Sequence, residues 1–146
     1  MERTSILKAL QLVLCDTYVL YVKTQTYHWN VTGPHFYSDH LLLESQYEEM
    51  IPAIDRIAER MRTLGATVPA NLAFFKDNSQ VQDELHLEDP SLMIKDLIKG
   101  HEQVIHDLQN LLRASQSDGA TETLAADRLD AHEKARWMLQ SSLQRG

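Results

Sequence analysis

Five side chains in this sequence have the types and spacing to hold a metal ion. His40 and Glu44 stand four residues apart, and so do Asp55 and Glu59. His28 precedes His40 by twelve residues, at the end of the helical segment before it. Residues at i and i+4 lie one above the other on a helix face, so each doublet can offer two ligands to one ion. Glu44 to Asp55 is eleven residues. At about 100° per residue that is three turns plus about 20°, so all four side chains share one side of the helix. The doublet centres are nevertheless about 22 Å apart at about 1.5 Å rise per residue. One ion cannot be reached by both doublets of the same helix. To form one site they must meet across a two-fold axis, with the helix antiparallel to its copy in a second subunit. Imidazole and carboxylate ligands suit iron, zinc or manganese, and so few of them leave coordination positions open for an oxidant. The plain alternative is a solvated acidic helix face with two incidental histidines.

The elements that must position these residues read as long helices. The first covers about 4–30, with Ile6, Leu10, Val13, Thr17, Leu20, Thr24 and His28 at helical spacing. Leu12, Val19 and Val22 add a second apolar side, which implies deep burial or a subunit contact. Asn30-Val31-Thr32-Gly33-Pro34 reads as a turn. The second helix covers about 36–64. Its core stripe is Leu43, Tyr47, Met50, Ile54, Ile57 and Met61. The four ligand candidates flank that stripe on an arc of about 100°. Pro52 lies inside this helix and is expected to kink it. Leu64-Gly65 is a plausible stop. Residues 65–90 form a connector, in which the segment from Asn71 to Lys76 reads as a short helix. A third long helix covers about 91–115, with Ser91 as the expected N-cap. Ser117-Asp118-Gly119 breaks the pattern, and a fourth covers about 121–143. Four long helices with a long crossover between the second and third describe an all-α, ferritin-like four-helix bundle. No repeat or domain boundary is visible, so residues 1–146 read as one domain.

Composition narrows the function classes. The chain has 146 residues, is 43% hydrophobic and contains only five Gly and four Pro, which suits helices better than a turn-rich β fold. No run approaches the roughly 18 apolar residues of a membrane span, and no signal peptide is evident. Cys15 is the only cysteine, expected to be buried and consistent with a reducing cytoplasm. The net charge of −7 argues against a general attraction to nucleic acid or anionic membrane, while it favours cations.

Other candidate sites are weaker. No histidine has a glutamate three residues before it, so a di-iron site inside the bundle is disfavoured. His101-Glu102 with His106 has one residue too many for the zinc-protease spacing, and these histidines are expected at the surface or an interface. Trp29, beside His28, reads as a packing residue, or as an electron carrier next to a redox metal. Asp118, Glu122, Asp127 and Asp130 suit the dipole at the start of the fourth helix, or else an acidic ring at a three-fold pore.

KTQTYHWNVTGPHF, followed by DHLLLESQYEEMIPAIDRIAERMRTLG, closely resembles the Dps family, the DNA-binding proteins from starved cells or miniferritins. The likeness covers nearly the whole chain and includes the C-terminal DAHEKARWML segment. It implies a hollow shell of twelve subunits in which Fe(II) is oxidised between two-fold-related subunits, usually by hydrogen peroxide rather than O2. Ferric mineral is then stored inside. His28 and His40 match the family's histidine ligands of one subunit, and Asp55 and Glu59 match the partner's carboxylates. Glu44 falls where many members have Asp, which bears on whether one or two ions occupy each site; zinc is a conceivable substitute. Trp29 matches the tryptophan beside the site. Asp118 fits the pore pattern, while Thr123 stands where some members have Asp. Pro52 departs from the family pattern. So does the absence of a Lys-rich N-terminal tail, so strong DNA binding is not expected. The location implied is the cytoplasm, with or without the nucleoid. The competing readings are a DNA-compacting protein with secondary iron chemistry, and a purely structural shell.

Overall fold

The computed structural model describes residues 2–144. Among them are five helices: α1 (Glu2–Asn30), α2 (Phe36–Thr63), α3 (Leu72–Asn78), α4 (Pro90–Ala114) and α5 (Gly119–Ser142). α1 packs on α2 and α4, and α4 packs on α5, while α2 and α5 touch only lightly. The result is the expected four-helix bundle, with α3 on the crossover against α1. Leu10, Leu14, Leu20, Met50, Leu97 and Leu108 are among the fully buried side chains at its centre.

The ends of α2 are set by local chemistry. Gly33 takes φ +101° in the turn that reverses the chain after α1, and Gly65 takes φ +95° after α2. Gly65 N–H donates to the Arg62 carbonyl and Ala66 N–H to the Met61 carbonyl. This paired closure satisfies the last carbonyls and needs the left-handed backbone that glycine adopts freely. α2 runs unbroken through Pro52, so both doublets do sit on one helix. Pro52 and Glu48 are both exposed, so water can serve the Glu48 carbonyl that proline leaves without a donor.

Two expectations are corrected here. Asp89, not Ser91, caps α4: its side chain accepts the Ser91 N–H at 3.0 Å, and Pro90 occupies the first helical position, where a missing N–H costs nothing. By length and mean hydropathy α1 is, among the described residues, the one helix apolar enough to cross a bilayer, with half of the apolar window buried in the bundle. Its buried polar groups are tied to the crossover and α4. Lys23 Nζ donates to the Gln82 carbonyl at 2.6 Å and pairs with Asp96 at 2.6 Å. Cys15 is fully buried, as expected. Burial, and then the neighbouring Asp16 charge, push its thiol up to about 12, so it stays protonated and unreactive.

Candidate metal centre

The turn between α1 and α2 folds His28 onto His40. Their rings stack at 3.8 Å between centroids. Each ring nitrogen Nδ1 lies 2.8 Å from the other residue's backbone carbonyl. A carbonyl only accepts, so both Nδ1 atoms carry a proton, and in the neutral rings Nε2 is the nitrogen that keeps a free lone pair. Reciprocal bonds of this kind fix ring orientation and tautomer as outer partners of metal-bound histidines do. Phe36 stacks on the outer face of His40 at 5.0 Å, and Tyr47 sets its ring edgewise on His28 at 5.2 Å. Glu44 Oε1 approaches His28 Nε2 to 3.9 Å. Two of the other candidates, His40 and Glu44, therefore each touch His28. Trp29 does not join them: it is 65% exposed, and the ring against His28 is that of Tyr47, which reads from sequence as core stripe.

Asp55 and Glu59 lie on the same side of α2 as His40 and Glu44, further along the helix, and both are exposed. Among the described residues neither has an ion pair or a side-chain hydrogen bond. Their chain neighbours do. Arg56 Nη1 reaches Asp127 at 3.0 Å, and Arg60 Nη2 reaches Asp118 at 2.9 Å. The arginines thus turn to α5 and leave two like charges at i and i+4 uncompensated, an arrangement unfavourable by about 0.2–0.5 kcal/mol on an isolated helix. Among the described residues no group of three or more His, Cys, Asp or Glu closes around one point. One chain holds a histidine half and a carboxylate half. Val22, Trp29, Phe36, Leu41 and Ile51 are exposed apolar side chains on the same two helices. A surface of that kind suits cover by another chain.

Two of the pore candidates at the start of α5, Asp118 and Asp127, have structural employment. Asp118 caps α5, accepting from Thr121 N at 3.3 Å and Thr121 Oγ1 at 2.8 Å. Desolvation pushes its carboxyl up, but the bonds from Thr121 and Arg60 outweigh that and hold its pKa below the usual range. Asp127 is exposed and paired with Arg56. Glu122, Thr123 and Asp130 are exposed.

Two buried polar pairs escaped the sequence reading. His101, expected at the surface or an interface, is instead inside the bundle, 1% exposed, and meets His132, also 1% exposed, Nδ1 to Nδ1 at 2.9 Å. Arg128 Nη2 lies 3.1 Å from His132 Nε2 and its guanidinium also pairs with Glu49 at 2.5 and 3.0 Å. Since Arg128 can only donate, His132 carries its proton on Nδ1 and gives that bond to His101. Burial, then the Arg128 charge, push His101 down to about 3. Burial, then His101 and Arg128, also lower His132. Both rings are neutral at ordinary pH. His106 is exposed, as expected. The second pair is Asp16 and Asp107, both buried. Asp16 Oδ1 accepts from Ser79 Oγ at 2.7 Å and Gln80 N at 2.6 Å, which clasps the crossover. Burial, then the neighbouring Asp16, push Asp107 up to about 9, so Asp107 keeps its proton at ordinary pH. Only their burial and contacts, 31 and 91 residues apart along the chain, reveal these pairs; no local pattern does.

Comparison with known proteins agrees with this architecture. The ferritin-like domain family matches residues 7–146. A low-temperature-induced protein of Nostoc, itself uncharacterised, is 36% identical over 98% of this chain and 82% of its own length. The DNA protection during starvation protein of Brevibacillus brevis is 32% identical, over 86% of each chain. The crystal structure of the Dps protein of Vibrio cholerae O1, described as a ferritin-like diiron-carboxylate protein, superimposes with a TM-score of 0.93. It is 27% identical and covers 98% of this chain and 91% of that one.

Proposed function

We propose a function from the premise that this chain belongs to the ferritin-like family and, within it, to the Dps proteins. Iron handling is the family's broad chemistry. The finer reading is that the protein is a ferroxidase that oxidises Fe(II), with hydrogen peroxide as the preferred oxidant, and stores the ferric product inside a shell of twelve copies in the cytoplasm. His28, His40 and Glu44 of one copy bind the substrate iron together with Asp55 and Glu59 of another. The observation that carries this is the asymmetry of the two halves. The histidines lock each other through Nδ1 and leave Nε2 without a hydrogen bond, while two carboxylates on the same side of α2 have no partner among the described residues. Carboxylates stabilise Fe(III) more than Fe(II), because they offset the larger charge, and so favour oxidation.

Wild-type protein loaded anaerobically with Fe(II) and then given peroxide tests the reading. It predicts fast ferric absorbance and iron co-eluting with a large assembly, with little hydroxyl radical. Oxidation no faster than in buffer would sink it. Retention of DNA at physiological salt and low protein concentration would favour the DNA-compacting reading instead, against the net charge of −7. Isolation with stoichiometric zinc, which has no redox chemistry, would favour a structural shell.

A further inference from the structure

Hydrogen peroxide takes two electrons, and a ferrous ion gives one. Where a single ion is bound, the second electron comes from the protein or a hydroxyl radical escapes. Two aromatic rings outside the pair touch it: Phe36, 5.0 Å from His40, which has no phenol to oxidise, and Tyr47, 5.2 Å from His28, which has one. Tyr21 stands 6.1 Å from Tyr47, edge to face. Tyr18 follows at 5.9 Å from Tyr21 and stacks on Phe75 of α3 at 3.9 Å. All three tyrosines are half-buried, neither sealed in the core nor free in solvent. The register is shared by both helices. Tyr21 lies seven residues before His28 on α1, and Tyr47 seven after His40 on α2. Seven residues is nearly two turns, so each tyrosine stands on the same face as its histidine. Trp29, though adjacent to His28 in sequence, is 65% exposed and has no such neighbour among the described residues.

We infer that Tyr47, Tyr21 and Tyr18 form an electron relay that serves the His28/His40 site. The inference rests on the ferroxidase reading above. One ferrous ion gives one electron to peroxide and becomes ferric. Tyr47 gives the second electron and releases its phenolic proton to solvent. With one further proton from water the peroxide leaves as two water molecules. The oxidised tyrosine exchanges an electron with Tyr21, and Tyr21 with Tyr18, which moves the hole away from the oxidant. A later ferrous ion reduces the radical, becoming ferric itself, and the phenol regains a proton from water. Iron thereby supplies every electron in the end, and the tyrosines lend one.

The test is freeze-quenched electron paramagnetic resonance on the assembled protein, given one Fe(II) per site and then peroxide, with ring-deuterated tyrosine to identify the signal. The relay predicts a radical whose hyperfine pattern changes on deuteration. Tyr47→Phe should abolish it and raise spin-trapped hydroxyl radical about threefold or more. Tyr21→Phe should keep the early signal but shorten its life. Fast iron oxidation with no tyrosine-dependent signal, or an unchanged signal in Tyr47→Phe, overturns the relay and leaves the ferroxidase standing. An unchanged decay in Tyr21→Phe overturns the relay beyond Tyr47. No iron oxidation in wild type removes both.

Discussion

Two pairs of touching histidines lie in this chain, and they differ in where their lone pairs go. In His28/His40 each Nδ1 is spent on a backbone carbonyl, so both Nε2 atoms are left to accept a cation. In His101/His132 the rings bond to each other, and Arg128 occupies the outer Nε2 of His132. A cation at that second pair would have to displace a guanidinium and overcome its charge. The difference teaches that histidine content says little until the tautomer is known. The same ring type is available as a ligand where backbone fixes the inner nitrogen, and is neutral packing where a buried arginine claims the outer one.

The comparison breaks most sharply on activity. His28→Ala should lower peroxide-driven Fe(II) oxidation at least about tenfold, the scale on which even outer partners of metal ligands act. His132→Leu should leave the rate unchanged. Initial rates at equal assembled protein decide this; equal losses would mean that the buried pair is part of the site. On stability the order reverses. His132→Leu strips Arg128 of an acceptor and His101 of a donor, and should cost about 1–3 kcal/mol in chemical denaturation.

Proton linkage sharpens the contrast further. His101 and His132 are held neutral in the fold, whereas an unfolded chain protonates them below about pH 6.5. Unfolding therefore takes up protons there, and stability should fall as pH drops through about 6.5. Melting temperature between pH 8 and pH 5 should fall less steeply in His132→Leu than in wild type. Asp107 works at the other end. Its proton is retained in the fold up to about 9 but is lost from the unfolded chain near about pH 4. Its contribution is full below that lower value and disappears as pH rises through about 9. Asp107→Asn should thus resist alkaline melting better than wild type; a larger alkaline loss in the variant would contradict the proton retained on Asp107. The smallest effect belongs to the surface. Asp127→Ala removes only an exposed pair with Arg56 and should change stability by about 0–1 kcal/mol. A slowed iron uptake in that variant would support its pore role.

Much of this was legible in the sequence because it is local. Spacing of four put each doublet on one face, Gly33 and Gly65 marked the ends of α2, and Asn71 announced α3, whose side chain accepts Phe74 N–H at 2.8 Å. The cap of α4 was misjudged between two residues of similar chemistry, although Pro90 at the first helical position pointed to Asp89. What stayed hidden is set by packing between helices. The burial of His101 depends on α5 bringing His132 and Arg128 to it. Tyr47 sits at a core-stripe position, and only the fold of α1 against α2 shows its edge turned to His28.

The central claim is that a working site takes its histidines from one copy and its carboxylates from another. Co-assembly of His28→Ala subunits with Glu59→Gln subunits tests it. Each variant alone should be nearly inactive. Each mixed two-fold pair holds one intact site and one doubly defective site, so random mixing should restore about a quarter of the wild-type rate. A mixture no more active than its parents would mean that each site is built within a single chain, and would contradict the account.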